Sequence, residues 1–436
     1  MADYEEAVAL HKRGSFAQAQ QRYRAHLARR PDDARALAQL AVCTLQGGGE
    51  YEEAVSLARR AVQLQPGCAR LRHTLGRLQE KASPPRWAEA ADAYARACEK
   101  DPSSVQMLLD LARALKELDR TAAAAEAYAR ALELAPDHPR AHFKLAMALR
   151  AMGRTERAAE HFRRHLEIDP SHAAARFWLA ACTGDAADAA ACPPDMVAGL
   201  FDQYADKFDS HLVEVLSYRT PQLLLDLLLS AAGEAGAPRP WRACADLGCG
   251  TGLMGPLLRP HVSGQLVGVD LSAGMCDKAR QRAGCYDSVE VGELVEWLRR
   301  VKGQQRPGQE EGQQQQQQRT AGAFDLLVAA DVLVYIGDLE PLLGAAAGVT
   351  GEGSLFALST ELLPETGEGR GYVLQATGRY AHAASYLRDV GARTGWRVAA
   401  LKRDVIRTNA GKPIHGNLCV LQRAAAGGGG GGGTGE

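Results

Sequence analysis

The chain has 436 residues, 46% of them hydrophobic, and a formal net charge of −1 at pH 7, which suits two or three domains with separate cores. A balanced charge supplies no global basic field, so nucleic acid is not an expected partner. The longest apolar run, Leu223 to Leu229, is broken by Asp226 and far too short for a membrane span. Met1 to Glu6 is acidic without an apolar h-region, and the cysteines lack C-x-x-C spacing. The expectation is a cytoplasmic protein with reduced thiols and no metal site.

Residues 3–183 carry an internal period. Pro31, Pro66, Pro102, Pro136 and Pro170 recur at intervals of 35, 36, 34 and 34 residues. Twelve residues before each stands an alanine (Ala19, Ala54, Ala90, Ala124, Ala158), and eight before stands a ring at Tyr23, Tyr94, Tyr128 and Phe162, with Ala58 the exception. Small alanines let two helices approach, the ring fills the gap between neighbouring hairpins, and proline marks the turn to the next unit. The pattern resembles the tetratricopeptide repeat. The resemblance implies an α-solenoid of about five helical hairpins, with Ser171 to Cys182 as a capping helix and a concave face suited to a protein or peptide partner. An intramolecular scaffold is the other reading, and Arg140, Lys144 and Arg150 suit either a groove or a solvated helix face.

Residues 184–196, rich in small residues and proline, form an expected linker. Residues 197–240 should be helical, in segments around Leu200–Asp209 and Leu212–Leu229. Phe201, Tyr204 and Phe208 share one face of the first, as a lid over a site or as ordinary core packing.

The most informative stretch follows. Trp241 to Leu247 reads as a buried parallel strand that ends in Gly248-Cys249-Gly250-Thr251-Gly252. Alternate glycines tolerate positive φ and let main chain touch a ligand, and a helix expected from about Leu253 would point its N-terminus there. A second apolar strand, Gln265 to Leu271, carries Asp270 near its end, where a carboxylate can take both ribose hydroxyls. The dinucleotide pattern G-x-G-x-x-G is missed, because Leu253 falls where its last glycine belongs; this argues against NAD.

Asp246-x-Gly248-x-Gly250-x-Gly252 resembles the first motif of class I S-adenosylmethionine-dependent methyltransferases, of the type 11/12-like group. Ser288 to Leu294 resembles the third strand with its adenine-side acid, here Glu293 where Asp is usual, and Phe324 to Leu333 the fourth, with Asp331 at its carboxyl end. The resemblance implies a Rossmann-like seven-stranded domain over 241–423, with fifth, sixth and seventh strands at 354–359, 396–401 and 417–422 and a helix from His382 to Thr394. It implies S-adenosyl-L-methionine as cofactor, held by Asp246, Gly248, Cys249, Gly250, Thr251, Gly252, Asp270, Leu271, Met275, Glu293, Leu294 and Asp331. The fold class is therefore α plus α/β. A glutamine-rich insertion at 303–322 and a glycine-rich tail at 424–436 should be disordered.

The acceptor is not legible from these motifs; a small molecule and a protein both fit. Methyl transfer from a sulfonium is an in-line displacement that mainly needs alignment, and a general base only where the acceptor carries a proton. Arg379, as an anion binder, and His382, as a base, form one candidate cluster, with Tyr335 beside it. Surface pairing for the arginine and a helix start for the histidine are the plain alternatives. A noncatalytic or hydroxylase-like domain on a repeat scaffold, and less so a dehydrogenase, are the competing functions.

Overall fold

The computed structural model describes residues 2–185, 191–210, 218–234, 236–237, 239–304, 323–365, 370–409 and 411–425. The expected insertion and tail, and the start of the expected Leu212 helix, lie largely outside them. The chain forms two compact units, Met1–Ala175 and Arg176–Glu436.

The first unit is a stack of helical hairpins: α1 (Ala2–Lys12) with α2 (Phe16–Arg29), α3 (Ala34–Gln46) with α4 (Tyr51–Leu64), α5 (Ala69–Gln79) with α6 (Trp87–Lys100), α7 (Val105–Glu117) with α8 (Thr121–Leu134), and α9 (Pro139–Ala151) with α10 (Thr155–Ile168). Each periodic proline sits in the turn that leaves the second helix of a pair. Asp33 and Ser104 then cap the next helix by accepting the backbone N–H groups of Ala36 and Met107. All five periodic alanines are fully buried, as are Tyr23, Tyr94 and Phe162. Ala58, which breaks the ring pattern, packs among Ala41, Ala54, Val55 and Leu78.

Gly76 in α5 shows how tight this packing is. A Cβ there would lie 2.6 Å from Cε1 of Tyr94, whereas one on Gly67 meets nothing within 4 Å. Overpacking a close-packed interior costs about 1–3 kcal/mol, against a helix-propensity gain of about 1 kcal/mol for replacing glycine by alanine. We therefore expect Gly76→Ala to lower the urea midpoint of the repeat unit and Gly67→Ala to leave it in place. Equal midpoints for the two variants would show that the ring does not depend on the glycine.

The second unit opens with the end of α11 (Ala173–Thr183), whose Phe177, Ala180 and Ala181 share a cluster with Leu374 and Tyr380. After α12 (Pro194–Tyr204) and α13 (Thr220–Glu234) comes a nine-stranded sheet: β1 (Trp241–Leu247), β2 (Val262–Asp270), β3 (Ser288–Val291), β4 (Phe324–Ala329), β5 (Thr350–Leu362), β6 (Tyr372–Leu374), β7 (Tyr380–His382), β8 (Trp396–Asn409) and β9 (Lys412–Arg423). β3, β2, β1, β4 and β5 lie side by side in parallel, and antiparallel β9 joins β5 to β8. These seven strands make the Rossmann-like sheet.

The remaining helices are α14 (Ala273–Gln281), α15 (Leu294–Gln304), α16 (Glu340–Ala347) and α17 (Ala384–Arg393). Residues alternate between two cores as the strand pleat requires. Leu247, Leu327 and Phe356 face α15, α16 and α17, while Cys244, Leu326 and Leu355 face α13. Because β1 has β2 on one side and β4 on the other, strand order reverses at β1, and a crevice opens at the carboxyl ends there.

Two expectations are corrected here. The glycine turn leads into one helical turn only, Gly255–Leu258, followed by a 3-10 turn, Arg259–His261; Pro260 cannot supply the N–H that a longer helix needs. Residues 378–382 are not a loop entering a helix. They lie in a β6–β7 hairpin whose β7 runs parallel to the end of β5, with Leu362 opposite His382, and the helix begins two residues later at Ala384.

Candidate active site

The crevice deepens into a cavity of about 540 Å³. Of the residues expected to hold a nucleoside, Asp246, Gly248, Cys249, Gly250, Thr251, Asp270, Leu271, Met275, Glu293, Leu294 and Asp331 line it, and Gly252 does not.

The glycines have different reasons to be glycine. All three have positive φ, 73° at Gly248, 54° at Gly250 and 85° at Gly252. A Cβ at Gly248 would strike Val332 at 2.4 Å, and one at Gly252 would meet Tyr286 at 3.0 Å and Arg282 at 3.2 Å, whereas Gly250 has only Phe208, at 3.8 Å. Gly250 is thus the position open to a ligand. Its N–H donates to Oδ2 of Asp270 at 2.9 Å, and the Ser272 N–H donates to Oδ1 at 2.9 Å. The carboxylate is fixed in place with lone pairs left over for two hydroxyls.

Asp246 is almost completely buried. Burial raises its pKa to about 7, against the opposing effect of the Tyr286 hydroxyl, which donates to Oδ2 at 2.6 Å. Glu293 accepts the Glu296 N–H at 2.8 Å and so also caps the first turn of α15.

The segment from α12 to Ser210 covers this end. Phe201 lies 5.9 Å from Phe208 and 5.6 Å from Tyr335, and Tyr204 lies 5.6 Å from Phe208, ring centre to ring centre. The stripe therefore faces the cavity rather than a separate core. Acids between the rings fasten it. Asp202 accepts the Ser272 hydroxyl at 2.5 Å and the Gly274 N–H at 3.0 Å, Asp206 pairs with Lys278, and Asp209 accepts the Thr251 hydroxyl at 2.5 Å and pairs with Arg282.

The opposite end is built on a buried ion network. Arg407 of β8 is 3% exposed and donates to Asp331 at 2.5 Å and to Glu361 of β5. A register shift in β8 between Val405 and Arg407 turns this side chain inward. Arg379 of the hairpin reaches the same Glu361 oxygen at 3.4 Å. Tyr335, on a 3-10 turn, and Tyr218 complete the lining, and burial raises both phenol pKa values. Asp331 itself has φ 59°, an unusual conformation for a residue with a Cβ, and its N–H donates to the Ser359 hydroxyl at 2.8 Å.

Tyr335 and Arg379 thus meet in the cavity, but His382 does not join them. It is fully buried, is absent from the cavity wall, and turns Nε2 to the Gly337 carbonyl at 2.9 Å. Sequence reasoning missed Arg407, Tyr218, Tyr286 and the fastening roles of Asp202 and Asp209. The aromatic and acidic pattern of 201–209 was the available signal for the last two.

With this geometry in place, comparison with known proteins is direct. A tetratricopeptide repeat family model matches residues 4–67, 42–105, 109–173 and 143–191, and a methyltransferase domain model matches residues 245–356. The chain carries tetratricopeptide repeats in its N-terminal part and a methyltransferase domain in its C-terminal part. It is 36% identical over 100 residues to methyltransferase-like protein 27 of Homo sapiens, a match that spans 22% of this chain and 39% of that protein. Among solved structures, MamA from Desulfovibrio magneticus RS-1 is 19% identical, covering 39% of this chain and 95% of that one with a TM-score of 0.36. YrrB, described as a TPR protein with an unusual peptide-binding site, is 19% identical over 39% of this chain and 86% of that one, with a TM-score of 0.35. Among the described residues, no helix is long and apolar enough to cross a membrane.

His382 yields a pH prediction. Burial lowers its pKa from 6.5 to about 4, so as pH falls the unfolded chain takes up this proton first. Stability from the neutral ring is complete above about 6.5 and is lost between there and about 4. His382→Gln should reduce the loss of unfolding free energy between about pH 7.5 and about pH 5 by on the order of 2 kcal/mol. Identical pH dependence in both proteins would rule out a native state that holds the ring neutral.

Proposed function

We propose that the chain is an S-adenosylmethionine-dependent methyltransferase acting by in-line displacement on a small-molecule or protein acceptor, with the repeats taking a protein or peptide partner. The observation that carries this reading is Gly250 beside Asp270. An open main-chain position adjoins a carboxylate fixed by two N–H groups at the carboxyl end of β2, within the segment that matches a methyltransferase domain.

The donor supplies an electrophilic methyl group on a sulfonium. Asp270 takes the ribose hydroxyls, Leu271, Met275 and Leu294 give the base apolar walls, and Gly250 permits close main-chain approach. Phe201, Tyr204 and Phe208 exclude water above it, held down by Asp202 and Asp209. Arg379 and Tyr335 face the acceptor and orient it; no role falls to His382 in the reaction.

In the repeat unit, a cavity of about 490 Å³ is lined by Arg77, Lys81, Arg113 and Arg140 from helices α5, α7 and α9 and the turn after α5. Its two acids are already taken, Asp110 by His73 at 2.8 Å, Gln106 at 3.0 Å and Arg113 at 3.0 Å, and Glu80 by Arg113 at 2.9 Å, while Arg77, Lys81 and Arg140 also line it. The surplus of cations favours an acidic peptide there.

Calorimetry should detect S-adenosylmethionine binding and no NAD binding. Asp270→Ala should weaken the former about tenfold or more, equivalent to about 1.4 kcal/mol, with the circular dichroism spectrum unchanged. Preference for NAD, or unaltered affinity in the variant, would sink the assignment.

A further inference from the structure

The acceptor end of the cavity limits what can be methylated. Arg407 is committed: one nitrogen goes to Asp331 and the other to Glu361. Both carboxylates are thereby engaged by one buried cation. Tyr335 and Tyr218 are phenols that burial keeps protonated. His382 lies outside the cavity wall with Nε2 on a carbonyl. Asp246 stands near the end of β1, at the glycine-turn end of the cavity, where the Tyr286 hydroxyl holds it. The described acceptor wall therefore offers no unengaged general base.

Arg379 is the exception to this commitment. Among the described residues its guanidinium has one acidic partner, Glu361, at the long distance of 3.4 Å, and that oxygen is already shared with Arg407. Its side chain remains 32% exposed and lines the cavity. A guanidinium carries five N–H donors in a planar fork, so an edge suited to a bidentate anion is left over. The same cation disfavours an ammonium or a protonated amine at that place.

We propose that the acceptor group is a carboxylate, bound by Arg379 and converted to its methyl ester; this rests on the methyl-transfer reading above. A lone pair on the carboxylate oxygen forms the new O–C bond while the C–S bond of the sulfonium donor breaks and its electron pair stays on sulfur. Anion and sulfonium become a neutral ester and a neutral thioether. No proton moves, which matches a wall without a free base. Loss of opposite charges in the reaction also suits a cavity roofed by Phe201 and Tyr335, because water would stabilise the separated ions more than the products.

The test uses the full chain with methyl-tritiated S-adenosylmethionine and whole cell lysate, followed by mild alkali. Label released as volatile methanol is expected, from the acid-precipitable fraction if the carboxylate is on a protein and from the soluble fraction if it is on a metabolite. Arg379→Met should cut incorporation at least tenfold and Arg379→Lys should recover part of it. Affinity for S-adenosylhomocysteine, measured by calorimetry, should stay within twofold in both variants. Label that survives alkali, as in an ether, an N-methyl group or a methyl phosphate, overturns the carboxylate but leaves methyl transfer standing. Undiminished incorporation by Arg379→Met overturns the role of the arginine. Absence of label with the unaltered chain overturns methyl transfer itself and this inference with it.

Discussion

One guanidinium holds together the end of the cavity away from the glycine turn. Arg407 joins the carboxyl end of β4, through Asp331, to the end of β5, through Glu361, from a strand on the far side of β9. Removing one member of such a buried network leaves the others uncompensated, at a cost of about 3–5 kcal/mol. The network therefore fixes where the strand ends stop and how far apart they stand. It also engages Asp331, the acid that lines this end of the cavity, and shares Glu361 with Arg379.

The glycine-turn side is organised by the opposite device, acids kept without a cationic partner. Asp246 is buried against a phenol, and Asp270 is held by two main-chain N–H groups. Burial raises the pKa of both. Such groups cost folding free energy when ionised, and a ligand that offers them hydroxyls or a positive charge would return part of it on binding. The segment above is tied to the same strand ends: Asp202 engages Ser272 after β2, and Asp209 engages Thr251 of the glycine turn and Arg282.

What the sequence revealed and what it hid divide along these lines. The alanine, ring and proline period translated directly into buried positions because each hairpin contacts only its neighbours, and local spacing determines packing. Gly248 and Gly252 were readable because main-chain conformation and close contact demand glycine whatever surrounds them. Gly252, however, serves the Tyr286 ring and not the cavity, a distinction that spacing cannot express. His382 was misleading for a related reason: next to Arg379 in sequence, it belongs to a strand whose alternate side chains point to opposite faces. Arg379 and His382 are an odd number apart, so one faces the cavity while the other enters the core. The shortened helix after the glycine turn carried its own warning in Pro256 and Pro260.

Arg407 had no local signature at all, since an arginine in a strand near a hairpin end normally faces water and only the register shift beside it turns it inward. This asymmetry has a structural origin. The glycine-turn end is assembled from consecutive strand ends, β1, β2 and β3, whose glycines and acids stand within about fifty residues of one another in sequence. The opposite end is assembled from α12, the turn at Tyr335, the β6–β7 hairpin and β8, elements more than 200 residues apart at their extremes. Of these, α12 also reaches back to the end of β2, through Asp202 on Ser272. The glycine-turn end of this sheet is therefore fixed by backbone requirements, and the opposite end by pairings that only the folded chain brings about.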